Sequence, residues 1–147
     1  MIVRDYNHGD LEFLLHKLDG RYSKRREDKF QLVEKCPNAF YCFVVEDRQS
    51  ENWPNYIIKG FIIMEDLGDK ISHYMLQINV AEKRLGLGKA LVQKVFNKIG
   101  PGGHISLCVN TDNDEAIKFY EALGFKRSGY NEGYRKNQNK YWYQIDI

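Results

Sequence analysis

Residues 71–91, ISHYMLQINVAEKRLGLGKAL, constrain this chain more than any other stretch. Ile71 to Val80 is rich in β-branched and aromatic residues and has the length of a strand. Lys83-Arg84-Leu85-Gly86-Leu87-Gly88-Lys89 follows at once. From there Leu87, Leu91, Val95 and Ile99 recur at i, i+4, i+8 and i+12, with Ala90, Val92 and Phe96 beside them, which is helical periodicity. A helix that starts in a glycine turn has several backbone N–H groups without partners, all pointing one way. The helix dipole adds partial positive charge at that end. Glycines let the backbone approach an anion with no Cβ in between, and Lys83, Arg84 and Lys89 supply full charges. The segment reads as a pyrophosphate cradle; the plainer reading is an anonymous strand–turn–helix. Two other phosphate-binding patterns fail. A dinucleotide fingerprint needs a third glycine where Leu91 stands, and a P-loop needs Gly and Ser or Thr where Lys83 and Ala90 stand.

Residues 107–125, LCVNTDNDEAIKFYEALGF, carry the second signal. Leu107 to Val109 reads as the end of a buried strand. Asn110, Asp112, Asn113 and Asp114 form a polar turn with good N-cap candidates. Ala116, Phe119, Tyr120 and Leu123 make an apolar helical face, and Gly124 sits where a helix C′ glycine belongs.

Together the two segments resemble the GNAT family of acyl-CoA N-acyltransferases. The family's Arg/Gln-x-x-Gly-x-Gly/Ala motif maps onto Lys83-x-x-Gly86-x-Gly88, with Lys83 in place of the usual Arg or Gln. Its Asn-x-x-Ala-x-x-x-Tyr-x-x-x-Gly-Phe motif maps without a gap onto Asn113, Ala116, Tyr120, Gly124 and Phe125. The resemblance implies an α+β fold: a mostly antiparallel sheet of six or seven strands, one splayed parallel pair, and about four flanking helices.

The chain of 147 residues has the size of one domain with a single core, spanning 1–147. Apolar residues at 43% and charged residues at 29% are an ordinary globular profile. A net charge of +2 is too small to argue for nucleic acid or a membrane surface. No run of 18 apolar residues suggests a membrane span, and MIVRDYNHGD lacks an apolar signal region, so a cytoplasmic protein is expected. Cys36, Cys42 and Cys108 have no metal-type spacing. Cys42 and Cys108 read as buried reduced thiols rather than a disulfide framework, and no metal is expected.

In chain order, Ile2 to Arg4 is a strand candidate. Asp10 to Leu18 and Arg21 to Cys36 read as helices, and Ala39 to Glu46 as a strand. Asp47 to Asn55 reads as a loop, Tyr56 to Glu65 as a strand, and Asp66 to Lys70 as a turn. Gly100-Pro101-Gly102-Gly103 stops the central helix. Ile105 to Val109 is a strand, and Lys126 to Tyr134 and Tyr141 to Ile147 form a last strand pair around the loop Arg135–Lys140. The strands before the glycine turn suit an antiparallel meander. The helical crossover makes Ile71–Val80 and Ile105–Val109 parallel. The basic triplet Lys24-Arg25-Arg26 reads as a solvated helix face; next to the resembled family's acceptor site it has room to hold an anionic acceptor. Tyr130, Tyr134, Tyr141, Trp142 and Tyr143 suit packing within the last strand pair or the wall of an acceptor pocket.

The resemblance also implies roles. Acetyl-CoA is the cosubstrate and an amine the acceptor, in a monomer or homodimer. Backbone groups of Ile78, Asn79 and Val80 bond the acyl and pantetheine amides. The turn from Arg84 through Leu85, Gly86, Leu87 and Gly88 to Lys89, flanked by Lys83 and Ala90, holds the pyrophosphate. Asn110, Asn113 and Ala116 contact the cofactor arm. Tyr120 lies by the thioether sulfur as general acid, a phenol of pKa about 10 being able to protonate a leaving thiolate, and the Val80 N–H is the oxyanion donor. Without the motif, Tyr120 reads equally well as a core aromatic. The general base has no clear signal; Glu65, His73, Tyr74 and Glu82 are candidates, with Glu65 or His73 foremost. Relatives that acetylate ribosomal-protein N-termini have a Glu where this chain has Cys108, and water relay to bulk is the fallback. Two other classes stay open: a non-catalytic acyl-CoA-binding or regulatory module, and an RNA-binding module, against which Glu27 and Asp28 speak.

Overall fold

The computed structural model describes residues 1–47, 57–83, 85–133 and 138–147. The expected loop beyond Asp47, together with Arg84, Tyr134 and Arg135, lies outside the described residues. The strands are β1 (Ile2–Asp5), β2 (Phe40–Asp47), β3 (Ile57–Asp66), β4 (Ser72–Val80), β5 (His104–Asn110), β6 (Lys126–Asn131) and β7 (Lys140–Asp146). The helices are α1 (Leu11–His16), α2 (Lys24–Lys35), α3 (Leu87–Ile99) and α4 (Asp114–Ala122). Both early helices are shorter than their periodicity suggests. Ser23 caps α2 by accepting from the Arg26 amide at 3.3 Å, which excludes Arg21 and Tyr22 from the helix.

One sheet of seven strands forms, in the order β1-β2-β3-β4-β5-β7-β6. Every pairing is antiparallel except β4 with β5. The parallel pair is the product of the α3 crossover, as the sequence predicts. Side chains alternate between the two faces of the sheet, so each face has its own core. Met64, Met75, Ile105 and Leu107 pack under α3 and α4 with Leu91, Val95 and Ile117. Val44, Ile58, Phe61 and Ile63 pack under α1 and α2 with Leu14 and Phe30. The result is three layers, helices covering both faces of the sheet.

Two irregularities in β4 position everything that follows. The register with β3 shifts between Ile63↔Gln77 and Met64↔Met75, so Leu76 is an extra residue, a β-bulge. The ladder with β5 covers only Ser72↔His104, His73↔Ile105 and Tyr74↔Ser106. Both strands continue beyond those pairs, β4 to Val80 and β5 to Asn110. The bulge bends β4 where the pairing ends, and the sheet opens into a gap between two strands that remain extended.

A through-sheet cleft as candidate active site

The gap leads into a cavity of about 1540 Å³. Leu76, Gln77, Ile78, Asn79 and Val80 form one wall; Cys108, Val109 and Asn110 form the facing wall. Ile78 and Val80 pack with the core under α3, whereas Leu76 packs with the core under α2. The cavity therefore passes through the sheet from one helical layer to the other.

Backbone polarity in the gap follows from one hydrogen bond. The Ala81 N–H donates to the Lys59 carbonyl of the β3 side at 2.7 Å. In an antiparallel pair, successive residues direct their N–H and C=O to opposite sides. The N–H groups of Val80 and Ile78 consequently face away from β3, into the gap where no ladder partner exists.

At the far end of the gap, Gly86 is the N-cap of α3 with φ 73°, in the left-handed region that favours glycine. No side chain caps this helix, and its first turn contains no acid. The first amide to find a carbonyl four residues back is that of Ala90, which donates to Gly86 at 3.0 Å. The amides of Leu87, Gly88 and Lys89 precede it, and all three residues line the cavity. An anion placed there meets unpaired donors and the positive end of the helix dipole. Lys83 and Gly86 line the cavity as well; Leu85 and Ala90 do not, and Leu85 is exposed. The Lys83 ammonium is bound to the Glu115 carboxylate of α4 at 2.8 Å across the mouth.

Gly88 has a second reason to be glycine. A Cβ there would lie 2.9 Å from Phe119 Cζ. The ring of Phe119 crosses this position, so α4 approaches α3 at its first turn only because Gly88 has no side chain. Phe119 in turn meets Tyr120 edge-on, with ring centroids 5.3 Å apart. The glycine turn and Tyr120 are thus joined by one continuous contact.

The second motif resolves into a capped and stopped helix. Asn113 accepts from the Ala116 amide at 3.2 Å and is the N-cap of α4. At the other end, the Phe125 N–H donates to the Tyr120 carbonyl at 3.1 Å and the Gly124 N–H to Glu121 at 3.0 Å. Gly124 has φ 100°. These two bonds are a Schellman stop, and the accompanying apolar contact is Tyr120 with Phe125, centroids 5.7 Å apart. The spacing Tyr120…Gly124-Phe125 is therefore a device that fixes the position of the Tyr120 ring. Asn110, Asn113, Ala116 and Tyr120 all line the cavity. Tyr120 is 8% exposed, and burial pushes its hydroxyl up to about 12.

The base candidates are placed unequally. His73 is buried, with Nδ1 2.9 Å from the Tyr41 hydroxyl on the α3 side of the sheet. Glu65 pairs with Tyr74 at the end of β3. Neither lines the cavity, whereas Glu82 does, with its carboxylate 2.9 Å from Lys59 Nζ. Tyr74 packs against Trp142, centroids 6.0 Å apart. Burial first, and the neighbouring Cys108 thiol second, push Tyr74 up to about 12. Of the thiols, Cys42 is buried, which holds it far above the usual thiol range. Cys108 is only half-buried, against the expectation of a buried thiol, because β4 leaves its side open. Cys36 is exposed. Among the described residues no three His, Cys, Asp or Glu side chains gather as a metal site would require, and no helix is long and apolar enough to cross a membrane.

The basic triplet does not behave as one solvated face. Lys24 pairs with Asp28 at 3.2 Å. Arg26 is buried; it binds Asp19 at 2.7 Å and the Leu14 carbonyl at 3.2 Å, and ties α1 to α2. Its burial corrects the surface reading, and helical phase is the signal, since Arg26 lies four residues before the core residue Phe30. Arg25 alone remains exposed without an ion pair among the described residues. Gln77, Lys140 and Phe119, which line the cavity, stand in no motif; only the alternation of β4 would have suggested Gln77.

The splayed parallel pair with a glycine-turned helix at its open end is the arrangement that the resemblance to the GNAT family implies. Residues 68–143 match the family model described as FR47-like protein, and the chain belongs to that family. No curated protein matches the sequence. Among solved structures, smu.2055 from Streptococcus mutans is 22% identical, with a TM-score of 0.78 over 99% of each chain. NAA60 from Arabidopsis thaliana, in complex with acetyl-CoA, is 21% identical, with a TM-score of 0.76 over 99% of this chain and 98% of that one. The ribosomal-protein-S18-alanine N-acetyltransferase from Escherichia coli is 17% identical, with a TM-score of 0.73 over 98% and 92%. At these identities the likeness is one of fold.

Proposed function

We propose that residues 1–147 form one domain that transfers an acetyl group from acetyl-CoA to a primary amine by direct attack on the thioester. The observation that carries this reading is the gap between β4 and β5, which connects an uncapped, acid-free helix start to Tyr120. The pyrophosphate would lie on the amides from Leu87 to Lys89, with Lys83 and Gly86 around it. Ile78, Asn79 and Val80 would bond the acyl and pantetheine amides along the gap, with Asn110, Asn113 and Ala116 opposite. The solved complex of the Arabidopsis relative with acetyl-CoA supports this choice of cosubstrate.

In the reaction the amine nitrogen bonds to the thioester carbonyl carbon, and the C–S bond breaks. The Val80 N–H, directed into the gap, stabilises the developing oxyanion. The attacking nitrogen gives one proton to water, and the departing thiolate takes one from water after it has left. Tyr120 donates its O–H to the sulfur. With its pKa at about 12, against about 8.5 for an ordinary thiol, it acts mainly as a hydrogen-bond donor to the developing thiolate. Full proton transfer would be uphill, so phenolate does not accumulate. Glu65 and His73 do not line the cavity, and Glu82, which does, is held by Lys59 on the glycine-turn side, so the proton of the amine passes to water.

The pH dependence follows. The rate rises as the amine loses its proton, and Tyr120, raised to about 12, stays protonated well beyond pH 10. The kcat profile should climb from pH 6 and show no descending limb below pH 10. A fall centred at pH 8–9 would remove Tyr120 from the acid role. The reading as a whole is tested by free-thiol release from acetyl-CoA with a panel of amines. Release that depends on an amine supports an enzyme; binding without release from any amine supports a non-catalytic acyl-CoA module.

A further inference from the structure

The side of the cleft that faces α2 has a charge pattern of its own. Gln77 lies on this face of β4, being paired with the core residue Ile63 under α2. Cys108 and Asn110 lie on the same face of β5, since Leu107 and Val109 turn the other way into the core under α3 and α4. Lys29 reaches from α2 across this opening and donates to Gln77 Oε1 at 3.1 Å. Lys140, paired with Asn110 in the β5–β7 ladder, lines the cavity from the opposite rim. Arg25 stands one helical turn before Lys29.

None of these three cations has a carboxylate partner among the described residues. The nearby acids are engaged elsewhere: Asp19 with Arg26, Asp28 with Lys24, and Glu34 with Tyr6 and His8. Glu65 lies beside Tyr74, deeper along β3. Of the acids that line the cavity, Glu82 holds Lys59 and Glu115 holds Lys83, while Asp114, in the first turn of α4, is exposed. Burial first, and then the charges that bear on Lys29, those of Arg25, Lys140 and Arg26, all positive, lower its pKa. Like charges gathered on a half-buried ammonium are unfavourable unless an anion joins them.

We infer that the acceptor is a small amine bearing a free carboxylate. Lys29 and Lys140 hold the carboxylate on the α2 side of the cleft, with Arg25 at the rim, while the amine faces the gap between β4 and β5. This inference rests on the acetyltransferase reading. It sets a direction for substrate choice: a polycation meets three positive charges on this side, whereas a carboxylate meets complementary charge and a Gln77 amide.

The test compares free amino acids, their α-carboxamides, spermidine, and amidated peptides with an acidic second residue. Each is assayed by thiol release with the full chain, its Lys29→Gln, Lys29→Glu and Arg25→Gln variants, and a separate acetyl-CoA titration. The wild-type protein should favour amino acids over their amides by at least tenfold in kcat/KM. Lys29→Gln should shrink that ratio about tenfold, mainly through KM, and Arg25→Gln should shrink it less. Lys29→Glu should turn the preference toward the amides and spermidine. Equal or better use of amides or spermidine by the wild type would overturn the inference, and so would a ratio that Lys29→Gln leaves in place. Transfer to the amidated peptides but not to free amino acids would also overturn it, in favour of a peptide acceptor. Failure of acetyl-CoA to bind would instead remove the acetyltransferase reading beneath it.

Discussion

Replacing Tyr120 by phenylalanine is expected to lower kcat about hundredfold, or roughly 2.7 kcal/mol of transition-state stabilisation. The change removes one hydroxyl and little else. The ring keeps its edge-on contacts with Phe119 and Phe125, and the Schellman bonds of Gly124 and Phe125 are made by backbone. No hydrogen bond ties the Tyr120 hydroxyl to another described residue, so its loss orphans no partner. Melting temperature and acetyl-CoA affinity should therefore stay close to wild type while turnover falls. A wild-type kcat would return Tyr120 to the role of a core aromatic, which its position in the apolar face of α4 would equally allow.

Gly88→Glu should weaken acetyl-CoA binding by at least a hundredfold. Two effects add. Any Cβ at this position meets Phe119 Cζ at 2.9 Å, so Phe119 must move, and the α3–α4 contact loosens at the cavity wall. The new carboxylate also stands in the first turn of α3, where the unpaired amides favour an anion from the ligand instead. Gly88→Ala separates the two. It keeps the collision without the charge and should cost about tenfold in affinity, with some loss of thermal stability. Wild-type affinity in Gly88→Glu would mean that the pyrophosphate does not lie on this turn.

Most of the fold was legible because its signals are local. The periodicity of Leu87, Leu91 and Val95, the punctuation at Gly100-Pro101-Gly102-Gly103, and the β-branched runs each belong to one element. The parallel pair followed from the helical crossover. The Tyr120 motif was legible as a pattern, and its physical content, a cap at Asn113 and a stop at Gly124, follows from single residues. What stayed hidden depends on contacts between distant segments. The bulge at Leu76 exists only relative to β3. The reason for Gly88 is Phe119, 31 positions on in the chain. Arg26 sits in a basic triplet that reads as surface, yet Asp19 and the Leu14 carbonyl draw it inside. The α2 side of the cleft, where Lys29, Gln77 and Lys140 meet, is assembled from three elements with no shared motif.

The uncapped start of α3 and the gap beside β4 are expected to bind acetyl-CoA. Calorimetric titration of the full chain with acetyl-CoA, beside desulfo-CoA and ATP, tests it most directly. Micromolar binding of acetyl-CoA is expected, with comparable binding of desulfo-CoA, which shares its pyrophosphate and pantetheine arm, while ATP stays silent. No heat from either CoA form, or equal binding of ATP, would contradict it.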